Sequence, residues 1–106
     1  MKEIIEQINK TFELREDLLQ EVKNENNLLV LVSQYVQELI NKDFEHLLYL
    51  LYKIDIGENK VKKAILESSV DEAHLIIAKM ILEREKEKIK TRKKYNTKSE
   101  NNDWIF

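Results

Sequence analysis

In the stretch Leu75-Ile76-Ile77-Ala78-Lys79-Met80-Ile81-Leu82, Lys79 is the only polar residue. A helix turns about 100° per residue, so these side chains clothe nearly the whole circumference. A helix apolar on every side is stable only when other helices enclose it, in the same chain or in a second one. Directly afterwards Glu83-Arg84-Glu85-Lys86-Glu87-Lys88 reverses the character. Acid-before-base pairs there support a solvated helix. Upstream, Ser69-Val70-Asp71-Glu72 has the form of a capping box. The pattern predicts one long helix from Val70 to about Tyr95, enclosed in its first half and projecting in its second.

The cover must come from the rest of the chain. Ile4, Ile5, Ile8, Phe12, Leu18, Leu19 and Val22 fall on one stripe, which predicts a helix from about Lys2 to Lys23. Arg15 intrudes on that stripe and Leu14 lies off it. Lys23-Asn24-Glu25-Asn26-Asn27 interrupts the pattern and supplies a capping asparagine. The next helix places Leu28, Leu29, Val32, Tyr35, Val36, Leu39 and Ile40 on one face, with Ser33, Gln34, Gln37 and Glu38 opposite. Val30 and Leu31 are extra apolar residues outside its stripe. Asp43 is the expected N-cap of a third helix, Phe44 to about Ile54, whose crowded leucines suggest a central position. Gly57 permits a left-handed turn residue, before a short helix, about Glu58 to Glu67, burying Val61, Ala64, Ile65 and Leu66. Leu48, Leu51, Ile77 and Ile81 are expected in the core, with Lys79 reaching solvent.

Composition agrees with an all-α fold. The 106 residues include no proline and one glycine, too few for the tight turns of a sheet protein. The expected architecture is an all-α bundle of four to five helices with a long C-terminal helix. Residues 1–95 form one domain, and 96–106 form a polar tail with an apolar tip. No cysteine is present, which removes disulfides and thiolate chemistry and fits a reducing cytoplasm. The longest uninterrupted apolar run, Leu47 to Tyr52, is far short of the roughly 18 residues of a membrane span. Charges in Met1-Lys2-Glu3-Ile4-Ile5-Glu6 leave no room for a signal peptide's apolar stretch.

Chemical motifs are sparse. Asp71-Glu72-Ala73-His74 spells a helicase box, but a single glycine cannot build the phosphate loop that accompanies it. Asp43-x-x-His46 and Asp71-x-x-His74 repeat a spacing that sets carboxylate and imidazole on one helix face, as in di-metal bundles. Both aspartates also stand where N-caps belong, and further inward glutamates are missing. No metal or other cofactor is therefore expected. Ser33, Ser68, Ser69 and Ser99 have no histidine at a triad spacing, so an enzyme is not expected. The short helices flanking Gly57, with Lys60, Lys62 and Lys63, faintly suggest a helix-turn-helix, a spacing shared by any helical hairpin.

Two features bear on partners. Lys86, Lys88, Lys90, Arg92, Lys93 and Lys94 are possible phosphate contacts in a chain of net charge −2. They point around the helix rather than along one side, and the chain's pI near 5.8 is unlike a nucleic-acid binder's. Leu75, Leu82 and Ile89 recur every seven residues, a short seam for a second helix. Trp104-Ile105-Phe106 follows a polar stretch and would dock on this bundle or on another protein. Asn41-Lys42-Asp43-Phe44-Glu45-His46 through Ile54-Asp55-Ile56, and then Ala78 to Tyr95, resemble small all-helical proteins of bacterial genomes. That resemblance covers about two thirds of the chain and implies bacterial cytoplasm but no activity. The expected role is a non-enzymatic interaction or adaptor module, through a protein partner or self-association. A nucleic-acid-associated protein is the alternative, and no membrane contact is expected.

Overall fold

A computed structural model of the chain describes residues 2–69 and 71–102, with side chains as far as Lys94. It contains α1 (Lys2–Phe12), α2 (Glu16–Gln20), α3 (Glu25–Lys42), α4 (Phe44–Lys53), α5 (Glu58–Glu67) and α6 (Ala73–Asn102). No strand occurs among the described residues. The protein is an all-α bundle with a long C-terminal helix.

The first half of α6 is the axis of the fold. Ile77, Ala78, Ile81 and Leu82 are buried. Their cover comes mainly from α3, then from α1 and α5 of the same chain. Lys79 reaches solvent, as the helix phase predicts. Glu25, at the start of α3, pairs with Lys86, while Leu29 lies beside Lys79 and Leu82. Helices α3 and α6 therefore run antiparallel. Helix α1 is antiparallel to α6 as well, since Glu3 meets Lys93 at 3.0 Å and Gln7 meets Arg92.

The expected first helix is broken. Helix α1 ends at Phe12, Glu13 takes a left-handed conformation (φ 50°), and α2 starts at Glu16. A continuous helix would place Arg15 three residues after Phe12, on the buried row of Ile4, Ile8 and Phe12. The break exchanges the two misfits. Leu14 packs against the core, and Arg15 turns outward to pair with Asp17 at 2.7 Å. A left-handed non-glycine residue costs about 1–2 kcal/mol. Half-burying Leu14 recovers part of that cost, and the break spares the desolvation of a guanidinium on the core row.

Other elements depart from expectation for local reasons. Ser33 is buried rather than solvated, and its hydroxyl donates to the Val30 carbonyl at 2.8 Å, which satisfies it inside its own helix. Helix α4 is peripheral, not central. Leu47, Leu50 and Leu51 face inward, Leu48 is only half-buried, and Phe44, Tyr49 and Tyr52 are exposed. It packs on α3, with lighter contacts to α1 and α5. The left-handed residue after α4 is Asp55 (φ 65°), not Gly57, which is extended and caps α5. Asp55 N–H donates to Tyr52 O and Ile56 N–H to Leu51 O, both at 3.0 Å, the paired bonds of a Schellman termination. Leu66 is 84% exposed rather than buried. Helix α6 begins at Ala73, after a turn in which the Ser69 carbonyl accepts from Glu72 and Ala73, and it runs on to Asn102, past Tyr95.

Two caps are where the sequence places them, whereas the capping box expected at Ser69 and Glu72 makes only backbone turn bonds to the Ser69 carbonyl. Asn24 accepts from Asn27 N–H at 2.8 Å and Asp43 from His46 N–H at 3.1 Å. Ile77→Ala and Leu51→Ala should each cost on the order of 2–5 kcal/mol in urea unfolding, with half-buried Leu48→Ala clearly milder. Asn24→Ala should cost about 1 kcal/mol through the lost cap. A Leu48→Ala penalty equal to that of Leu51→Ala would contradict the placement of α4.

Candidate interaction surface

The break at Glu13 has a second consequence. It swings α2 so that Leu14 and Leu18 face Leu31 and Tyr35 of α3 across a groove of about 240 Å³. A second concavity, of about 310 Å³, shares Leu18, Leu31 and Gln34 with it and adds Val22 and Val30. Together they form one apolar trough between α2 and α3. Leu18 and Val30 remain 36% and 46% exposed at its surface.

Helix α3 thus has two working faces. Leu28, Val32, Val36 and Leu39 serve the core. Positions 27, 30, 31, 34, 35 and 38, spaced by three, one, three, one and three, line the trough. At 1.5 Å per residue that stripe is about 16 Å long, roughly three helical turns. Phe12 meets Tyr35 edge-on, with ring centroids 5.9 Å apart, and joins the trough floor to the core.

The rim is acidic. Glu13 and Glu38 flank Tyr35, and Glu21 stands farther along. Burial pushes the Tyr35 hydroxyl above its ordinary pKa, and the negative charges of Glu38 and Glu13 push it further. Arg15, the one cation lining the trough, is neutralised by Asp17.

Half of the basic side chains at the end of α6 are ion-paired among the described residues. Lys86 pairs with Glu25, Arg92 with Gln7, and Lys93 with Glu3 at 3.0 Å, while Lys88 lies 4.0 Å from Glu85. Lys90 and Lys94 are exposed, with no ion pair among the described residues. Of the seven-residue seam, Leu82 is spent inside the chain's own core, Ile89 is half-buried against that core, and Leu75 is half-buried. Trp104, Ile105 and Phe106 lie outside the described residues.

Neither Asp-x-x-His pair forms a ligand set. The Asp43 carboxylate caps the His46 amide, and the exposed imidazole of His46 stacks on Tyr49. His74 is half-buried, and its Nδ1 is shielded without a hydrogen-bond partner. No group of three or more His, Cys, Asp or Glu side chains among the described residues is placed to hold a metal.

The residue that the sequence pattern misplaces is Glu85, read as part of a solvated segment but fully buried. It follows Ile77 and Ile81 at intervals of four, so its phase is that of the core row. Neither carboxylate oxygen has a hydrogen-bond partner of regular geometry. Burial pushes its pKa up from the ordinary 4.5, against a downward pull from the Gln7 amide and the Lys88, Arg84 and Arg92 charges. Arg84 is held elsewhere, donating to the Ile54 carbonyl at 3.0 Å and pairing with Asp55 and Glu87.

Comparison with protein-family models, with curated proteins and with solved structures found no match to this chain.

Glu85 gives the fold a signed pH dependence. Its folded pKa lies above the unfolded one, so its contribution is full below pH 4.5 and is lost as pH rises through the folded value. Glu85→Gln removes a buried charge that lacks hydrogen bonds and should return on the order of 1 kcal/mol at pH 7.5. The gain should disappear near pH 4. Thermal melts of both proteins across that range check this, and a uniform loss of stability at every pH would contradict it.

Proposed function

We propose that this protein is a non-enzymatic interaction module that docks a helix of another protein in the trough between α2 and α3. The observation that supports this best is the second apolar stripe of α3, Val30, Leu31 and Tyr35, left facing Leu14 and Leu18 with no other described residue packed between them. Leu18 and Val30 remain exposed there, so part of what their burial would contribute is left unrealised. The walls favour a helix as the occupant. Leu31 and Tyr35, like Val30 and Gln34, are four apart and form ridges into which a third helix packs. No strand edge is on offer among the described residues.

Self-association through α6 has less to draw on, because Leu82 and much of Ile89 are already engaged. The ion pairs of Lys86, Lys88 and Lys93 weaken the nucleic-acid alternative, while Arg92, bonded to the neutral Gln7, keeps its charge. No helix among the described residues is long and apolar enough to cross a membrane. A bacterial cytoplasmic setting completes the proposal, resting on the cysteine-free composition and the sequence resemblance.

Peptide-display selection against the intact protein, with Leu18→Asn protein as the counter-selection target, tests the function directly. The enriched peptides should carry apolar residues at i, i+3, i+4 and i+7 and become helical when bound. Enrichment of extended or proline-rich peptides, or none that distinguishes the two proteins, would overturn it.

A further inference from the structure

The trough's rim specifies more than its floor does. We propose that its partner is a basic amphipathic helix of about three turns, which lays its apolar face on Leu14, Leu18 and Leu31 and sets lysine or arginine side chains against Glu13, Glu38 and Glu21. The inference rests on the docking function proposed above and adds the chemical class of the partner.

Charge complementarity carries it. Glu13 and Glu38 stand on opposite walls of the trough, one at the break after α1 and the other on α3, with Tyr35 between them. A helix lying in the trough therefore has a carboxylate on each flank. Glu21 continues the acidic edge beside Val22. Two neighbouring cations are already paired, Arg15 with Asp17 through contacts at 2.7 and 3.2 Å and Lys42 with Glu38 at 3.2 Å. Both pairs are exposed, so a charged partner exchanges with either at little cost. Among the described residues Glu13 and Glu21 have no ion-pair partner.

The raised pKa of Tyr35 reports the same field from inside the groove, since both Glu38 and Glu13 contribute to it after burial. An acidic helix would meet like charges on both flanks, whereas a basic one gains two or three ion pairs at the edge of an apolar seat. Such pairs add specificity and speed of encounter more than raw affinity.

Three synthetic helical peptides of 14 to 18 residues separate the possibilities. They share one leucine face at i, i+3, i+4 and i+7 and differ only in flanks of lysine, glutamine or glutamate. Binding to the full chain is read by fluorescence anisotropy, with circular dichroism confirming that each variant is folded. At about 50 mM salt the lysine peptide should bind roughly tenfold tighter than the glutamate peptide, and the gap should narrow near 0.5 M salt as screening shortens to a few ångströms. Glu13→Gln with Glu38→Gln should erase most of that preference while leaving the glutamine peptide unaffected. Leu18→Asn should weaken all three peptides.

Equal binding of the three peptides, still lost in Leu18→Asn, would overturn the basic partner and leave the docking function standing. A lysine preference that survives the double glutamine variant would equally overturn it, by placing the attraction elsewhere on the surface. Binding of none of the peptides, or binding indifferent to Leu18→Asn, would overturn both readings together.

Discussion

Enclosure of the apolar half of α6 is the constraint on which the other helices depend. Ile77, Ala78, Ile81 and Leu82 need partners on several sides, and no single helix can supply them. Helices α3 and α1 flank α6 antiparallel, with α5 closing a further side. Helix α4 is then left outside this contact, which is why its aromatic residues reach solvent although its sequence is so apolar. The arrangement is ordinary helix packing, in which one continuous core forms around the most apolar segment.

Electrostatics finish what packing begins. Beyond Leu82 the apolar cover thins, and the junctions of α6 with α1 and α3 are carried by Lys86 to Glu25, Arg92 to Gln7 and Lys93 to Glu3. Each contact is exposed and contributes little alone. Their combined effect is to fix the register of the helices and to use up cations that a linear sequence presents as a free basic run. Glu85, sealed among Gln7, Lys88 and Arg92, is the one place where this polar junction extends into the dry interior.

The same economy of core positions creates the proposed docking surface. Keeping Arg15 out of the core requires the turn at Glu13. That turn brings Leu14 and Leu18 to face α3 at an angle that leaves a trough instead of a closed contact. A continuous first helix would have no such bend. The residues at the break and those lining the trough are therefore linked, since the local strain at Glu13 positions the wall that a partner helix would meet.

Much of the fold was legible along the chain. Periods near 3.6 located the helices, Asn24 and Asp43 announced their caps, and the apolar stretch from Leu75 to Leu82 required a bundle. Those features are local, because propensity, capping and periodicity act within a few residues. The trough was present only as anomalies, with Leu14 and Arg15 out of phase and Val30 and Leu31 beyond their stripe. A residue's distance from an ideal stripe tells that something must give, but not whether the chain kinks, exposes the side chain or finds it another neighbour. Glu85 and the basic run show the same limit. Whether a charge is solvated, paired or buried depends on which helix lies opposite, and Gln7 and Glu3 are more than eighty residues from Arg92 and Lys93 in the chain. The sequence alone determined the helical class, the caps at Asn24 and Asp43 and the need for a shared core. Only the tertiary structure decided which apolar faces were consumed and which remained open, because burial is a property of facing surfaces.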